Sequence, residues 1–344
     1  MTKAKKKTSD FKLQPHHVRL LAFCYLTPYL TRDIFQRSFP NELKSRSTAH
    51  NQLKKLVDAG YLKATRDSVN EPLIYTITPK SIKVLNRTRP ADNQLPPVRD
   101  ETAKTWRLKH EIGISEFQSD VRLAAQQRAD LDIRFFERRY FQDAKQKHFS
   151  YRNASGGVSK IRPDLGFLAQ FNQQHLLFHA FEYDRGTEDG NVVLKKMENY
   201  DTWFVSAGQQ YLFDLYTRHG ATKPRPSYRR LIVTTHRPEK DADDHDRLCK
   251  LITHLMQLPA ETRANIFLTT DELIVQHRND EQPLAAPLWI ALKFTRSWSR
   301  SFEQLQCELD SKPLSAGSRT KRLYAWTRER VTSLAKLSLF PPPK

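Results

Sequence analysis

Cysteine is scarce in this 344-residue chain: Cys24, Cys249 and Cys307 are far apart and odd in number. That excludes a disulfide framework and leads to the expectation of a cytoplasmic protein in a reducing compartment. No run of about 18 apolar residues occurs, so no segment reads as a membrane span. The opening MTKAKKKTSD is basic but leads into no apolar stretch, and is not expected to be a signal peptide. A G-x-x-x-x-G-K loop is missing, which argues against a P-loop ATPase, and so is the G-x-S-x-G elbow of many hydrolases. No histidine–apolar–histidine triplet exists (His16 and His17 are adjacent), so histidine-and-tyrosine relaxase chemistry lacks support. There is also no C-x-x-C pair. His245, Cys249 and His254, at spacings of four and five, are therefore read as core or surface residues and not as a zinc site.

What the chain has is positive charge. Lys and Arg number 57 against 38 Asp and Glu, for a net +19. With 38% hydrophobic and 10% aromatic residues a packed core is expected, and the excess charge points to a polyanionic partner, nucleic acid before membrane. The excess is not uniform. Residues 1–99 balance to +12, residues 100–295 to +1 and residues 296–344 to +6. A stretch rich in Pro, Asn and Asp, NRTRPADNQLPPVRD, reads as a linker. The resulting division is a domain over 1–90 with a basic start, a linker over 91–100, a second domain over 101–295 and a basic helical extension over 296–344.

Periodicity in the first hundred residues predicts a helix from Pro15, a second capped by Thr31 and a third from about Ser45 that ends at Gly60. Two strand patterns follow, Tyr61 to Arg66 and Leu73 to Thr78, and then a helix from Thr78-Pro79. This order, with LVDAGYLKA followed by YTITPKSIKVL, resembles the winged helix-turn-helix superfamily. The resemblance implies a third helix in the major groove and a wing along the backbone. Lys44, Arg46, Ser47, Thr48, His50, Asn51 and Lys54 would then face double-stranded DNA, with Lys63 and Arg66 on the wing. Of these, Arg46 and Asn51 are suited to reading base edges. The same module also serves in protein contacts, and a homodimer on a palindromic site is compatible with it.

The middle of the chain alternates helix and strand. A long helix is expected over 101–127, then strands in DIRFFERRYF, IRPDLGFLAQF and HLLFHAFEYD, a helix over about 191–209, the strand RRLIVTT, a helix near 243–256 and the strand NIFLTT. The fold class is α/β, with helices on a mixed sheet. Two acids stand out within apolar strands: Asp164 after Pro163, and Glu182, followed by Asp184, at the end of LLFHAFEYD. Burying such carboxylates is costly unless a cation offsets them. A divalent ion such as Mg²⁺ would do so, and would also polarise a phosphate and activate a water.

P-D, a β-hairpin and E-x-D in this order resemble the PD-(D/E)XK restriction-endonuclease-like core. The longer series of winged helix, RPDLGFLAQ, FEYDRGTE and LKKMENY resembles, over about 15–235, the replication-relaxation family of plasmid and mobile-element proteins. That family includes MobC-type mobilisation proteins, some of which act as relaxases. The resemblance implies Asp164 and Glu182 as Mg²⁺ or Mn²⁺ ligands, with Glu111, beside His110 on the preceding helix, as a third. The chain departs from the nuclease pattern where a lysine is expected two residues after the second acid, since Asp184 stands there. Arg185, Lys195 or Lys196 would have to replace it. Lys196 and Tyr200 lie i, i+4 on one helix face, so Tyr200 is also placed near the site, as a support or as a nucleophile.

Two functions follow from this reading. One is a metal-dependent DNA endonuclease, a nickase or relaxase of a mobile element working with other plasmid-transfer or replication proteins. The other is a non-catalytic DNA-binding accessory or regulator with a degenerate nuclease fold, in which Asp184 and Arg185 form a structural ion pair and Gly186-Thr187 a turn. The tail from Ser315 to Leu337 reads as a basic amphipathic helix, either packed on the second domain or touching DNA.

Overall fold

The computed structural model describes residues 11–66, 68–91, 94–97, 105–136, 147–153, 155–172, 175–186, 188–221, 224–234, 244–278, 284, 289–292, 296–331, 334, 336–337 and 339. Thr187, the His245 side chain, residues 137–141 of the first expected strand run and the closing PPPK lie outside them. The chain forms two compact units, Met1–Leu123 and Ala124–Lys344.

The first unit begins with α1 (Pro15–Leu26), which places proline at a position whose N–H has no helical partner in any case. The short β1 (Leu30–Thr31) precedes α2 (Arg32–Ser38), where Thr31 Oγ1 accepts from the Ile34 amide at 3.3 Å. Ser45 does the same for α3 (Arg46–Asp58), accepting from the Thr48 amide at 3.1 Å. Gly60, with φ of +76°, provides the left-handed residue that turns the chain out of α3. β2 (Leu62–Thr65) and β3 (Ile74–Ile77) form an antiparallel hairpin, and β1 adds to its far side in the order β1-β3-β2. α4 (Pro79–Asn86) follows. Leu20, Leu21, Phe35, Leu53, Leu56 and Tyr75 lie in one buried core.

α5 (Thr105–Gln126) was expected to open the second domain, yet most of it clusters with the first unit. Its own contacts give the reason. Ile112 packs on the first core, Ser115 Oγ donates to the Pro28 carbonyl at 2.6 Å, and the Ser38 and Ser119 hydroxyls meet at 2.6 Å. The Arg122 guanidinium lies over the Phe23 and Phe39 rings. Part of the expected linker is core as well, because Leu95 is buried and both its backbone groups bond the Asn86 side chain.

The second unit is a mixed α/β layer structure. β4 (Leu131–Phe135) leads to a small hairpin, β5 (Ser150–Arg152) and β6 (Val158–Lys160), and then to β7 (Leu165–Phe171) and β8 (His175–Asp184). α6 (Gly190–Trp203) continues through a π turn, Phe204–Gly208, into α7 (Gln209–Arg218). Gly208 lies against the Trp203 ring, about 3.0 Å from where a Cβ would stand, so only glycine fits there without displacement. β9 (Tyr228–Thr234), α8 (Asp244–Leu255), α9 (Ala260–Arg263), β10 (Ile266–Thr270), α10 (Asp271–Gln276) and β11 (Trp289–Ala291) follow. α11 (Arg296–Asp310), α12 (Ala316–Arg330) and β12 (Lys336–Leu337) complete the unit.

Seven strands make one sheet in the order β12-β11-β10-β9-β8-β7-β4. β4, β7 and β8 are antiparallel, β9 and β10 run parallel to β8, and β11 and β12 are again antiparallel. The central strands are buried over almost their full length, which accounts for their apolar sequences. The basic tail belongs to this unit. Trp298, Leu323 and Trp326 pack on its core, the Thr253 and Thr327 hydroxyls bond at 2.9 Å, and β12 extends the sheet. The helix expected to Leu337 ends at Arg330, and its last residues become strand.

Candidate functional site

β8 carries the site because of its alternation. Phe178, Ala180, Glu182 and Asp184 share one face, and Phe178 and Ala180 pack with Val193, Met197 and Tyr200 of α6 in one core. The two acids continue that apolar row. Glu182 is only 5% exposed, and it survives there because both oxygens have donors. Tyr200 donates to Glu182 Oε1 at 2.6 Å, and the Lys196 ammonium lies 3.0 Å from Oε2 and 3.3 Å from Glu188. Lys196 and Tyr200, one helical turn apart, thus reach the same carboxylate. Lys195 points the other way, exposed and paired with Glu198 at 2.9 Å.

Asp164 stands just before β7, half-buried. Its amide donates to the Phe181 carbonyl at 3.0 Å, and its Oδ2 accepts from the Tyr183 amide at 2.9 Å, so the β7–β8 ladder holds it beside Glu182. Burial first, then the charge of Asp164, pushes the Glu182 pKa up to about 7, against the pull of Lys196. For Lys196 burial works against the charged form, but Glu182, Asp164 and Glu188 outweigh it and raise its pKa. Burial and the Glu182 charge hold the Tyr200 phenol well above its ordinary value.

Asp184 has another role. Arg247 of α8 grips it with two nitrogens, at 2.7 and 2.9 Å, and also donates to the Glu188 carbonyl at 2.8 Å. The Gly186 amide adds a bond to Asp184 at 3.0 Å. An ion pair at Asp184 was one reading of the sequence, with Arg185 as the expected partner. The partner found is Arg247, 63 positions away, while Arg185 lies half-buried just past β8. No local spacing signals that contact. A second contact absent from the sequence reading braces α6: Arg230 of β9, fully buried, donates to Asp201 at 2.9 Å and to the Met197 carbonyl, and Tyr228 donates to Asp201 at 2.7 Å.

Glu111 lies on α5 in the first unit, buried, with Arg107 Nε 3.2 Å from its carboxylate and the half-buried His110 beside it. Among the described residues no group of three or more His, Cys, Asp or Glu side chains converges to hold a metal. The candidate centre is therefore the pair Asp164 and Glu182. Two hard carboxylates suit Mg²⁺ or Mn²⁺, which complete their shells with water and phosphate oxygens; the pair does not suit Zn²⁺, which prefers nitrogen and sulfur.

In the first unit, α3 buries Ala49, Leu53 and Leu56 and turns Arg46, Ser47, His50, Asn51 and Lys54 to solvent. Lys44 before it and Lys63 and Arg66 on the hairpin are exposed too. Thr48 is the exception: it is half-buried, and its hydroxyl meets the Ser45 cap at 2.9 Å, which makes it part of the helix start. Arg46 lies 3.8 Å from Asp33, a loose exposed pair, and Arg66 donates to the Val69 carbonyl at 3.1 Å.

Fold and site together define a mixed α/β protein whose sheet presents two acids, one of them backed by a lysine and a tyrosine from the next helix. A family model described as replication-relaxation matches residues 26–212, more than half of the chain and including Asp164, Glu182, Lys196 and Tyr200. The chain belongs to the replication-relaxation family, which suggests a role in replication or mobilisation of a mobile element. No curated protein and no solved structure matches it. Among the described residues no helix is long and apolar enough to cross a membrane.

Proposed function

We propose that the protein binds DNA through its first unit and nicks one strand at the Asp164–Glu182 pair. The observation that carries this reading is the Lys196 ammonium, 3.0 Å from Glu182. A lysine beside paired carboxylates is what phosphodiester cleavage needs, to orient the attacking water and offset charge in the transition state. Here α6 supplies it in place of the residue at position 184. A bound Mg²⁺ or Mn²⁺ would polarise the scissile phosphate and lower the pKa of a ligated water. Asp164 and Glu182 would hold that ion. Tyr200, buried and donating to Glu182, orients the carboxylate; its raised pKa makes it a poor nucleophile. Asp184 is occupied by Arg247, which also donates to the Glu188 carbonyl. The exposed row of α3, Arg46, His50, Asn51 and Lys54, faces the DNA groove, and Lys63 and Arg66 the backbone.

Supercoiled plasmid carrying the element's own origin, incubated with protein and Mg²⁺ or Mn²⁺, tests the proposal. The wild type converts it to open circles. Asp164→Ala and Glu182→Ala lose at least about 100-fold in rate, and Lys196→Ala about 10²–10³-fold, the scale for removing a group that stabilises transition-state charge. Equal nicking by all four proteins overturns the assignment. Binding without nicking by the wild type favours the non-catalytic accessory, in which the same fold serves only to hold DNA.

A further inference from the structure

The hairpin β5–β6 interrupts the run from β4 to β7 immediately before Asp164. Its base is built into the core: Phe149 stacks on Trp203 with centroids 5.5 Å apart, Trp203 Nε1 donates to the His148 carbonyl at 2.8 Å, and Tyr151 and Ile161 are buried. β5 packs against α6, the helix that carries Lys196. Toward the tip the Asn153 amide donates to the Gly157 carbonyl at 2.9 Å, and Gly156 has φ of +80°.

Register decides what the hairpin presents. Ser150 pairs with Lys160 and Arg152 with Val158, so these four share one face, while Tyr151 and Ser159 share the other. Tyr151 takes its face into the core. The opposite face, with Arg152 exposed, Lys160 half-buried and Val158 76% exposed, looks away from it. Arg162, also exposed, stands two residues before Asp164.

The charge here is one-sided. Residues 144–163 contain five Lys and Arg and no Asp or Glu, whereas residues 100–295 as a whole balance to only +1, which leaves −4 for the remainder. Of these five, Arg152 and Lys160 lie on the hairpin face opposite buried Tyr151, and Arg162 is exposed two residues before Asp164. This basic strip complements a polyanion whose phosphate is to be delivered to carboxylates that would otherwise repel it.

We infer that the outer face of β5–β6, through Arg152, Lys160 and Arg162, is a second DNA-binding surface that holds the sugar–phosphate backbone beside Asp164 and Glu182. The inference rests on the reading of those acids as the site that faces DNA. Val158, next to Arg152, gives apolar contact to sugar or base edges without sequence readout.

The experiment uses the full chain carrying Asp164→Ala, so that binding is read without cleavage. Fluorescence anisotropy on labelled single- and double-stranded oligonucleotides compares this parent with one in which Arg152, Lys160 and Arg162 are also changed to Ala. Loss of three phosphate contacts lowers the slope of log K against log salt by about 2–3, at roughly 0.9 per contact on duplex and 0.7 on single strands. The substrate whose slope falls identifies the strand form held. Exchanging the charges within type (Arg152→Lys, Lys160→Arg, Arg162→Lys) restores the slope. An unchanged slope on both substrates overturns the inference, and so does a loss that the exchange fails to rescue, which would mark a structural role. Hairpin-dependent binding together with a wild type that never nicks plasmid overturns the cleavage reading alone.

Discussion

At the scale of single residues, buried charge and its partners govern the second unit. Glu182 and Lys196 answer one another, and His179 shows the opposite case. Fully buried on β8, it stacks on Phe167 with centroids 4.5 Å apart, and its Nε2 has no hydrogen-bond partner among the described residues. Burial first, and Arg229 second, hold its pKa well below 6.5. Since the folded-state value is depressed, the folded protein keeps a neutral imidazole that the unfolded chain protonates below pH 6.5. The stability this contributes is present above pH 6.5 and is lost as pH falls below it, by about 1.4 kcal/mol per unit. Urea unfolding at pH 7.5 and 5.5 should show this loss in the wild type and a smaller one, by about that amount, in His179→Phe. Parallel pH dependence in the two proteins would show that His179 is not the titrating group.

At the scale of elements, two contacts position α6 and α8 against the sheet: Arg230 with Asp201, and Arg247 with Asp184. The second is the more exposed to test. Removing Arg247 leaves Asp184, 7% exposed, with only the Gly186 amide among the bonds described for it. Arg247→Ala is expected to cost about 3–5 kcal/mol, as for other buried charges stripped of a partner, and the apolar pair Asp184→Leu with Arg247→Met to recover most of it. Denaturant unfolding of the single and paired variants measures the coupling; additive effects would mean that the ion pair does not join β8 to α8. The elements themselves were largely legible in the sequence. Thr31 and Ser45 cap where their spacing predicts, Gly60 closes α3, and Pro79 starts α4. What local pattern missed has local reasons: β1 and β12 are two residues each, and the β5–β6 hairpin exists by pairing more than by hydrophobic alternation.

At the scale of the whole molecule the question is where the +19 resides. The first 99 residues hold +12 of it, and the exposed row of α3 is part of that share. On the proposed reading, Lys54→Ala should weaken DNA binding across sequences and lower the salt slope by about 0.9 on duplex, while Arg46→Ala, at a residue suited to base edges, should relax the sequence preference. A gel-shift series from low to high salt reads this directly. No change in affinity or slope would overturn the assignment of α3 as a DNA-facing helix. Half of the tail's +6 is carried by α11 and α12, whose Trp298, Leu323 and Trp326 pack on the core of the second unit, so its apolar residues have a structural role whatever its charges do.

The sequence by itself determined the helices and most strands, the uneven charge and the order of Asp164, Glu182, Lys196 and Tyr200, because caps, periodicity and short motifs act over a few residues. The tertiary structure decided which cation serves which acid. Lys196 reaches Glu182 across 14 positions and Arg247 reaches Asp184 across 63, and the sheet and its crossover helices bring them together. It also decided that most of α5 joins the first unit, through packing that no charge balance or proline-rich stretch records. Contacts between distant residues depend on which faces meet in the folded chain, and a linear pattern does not encode that meeting.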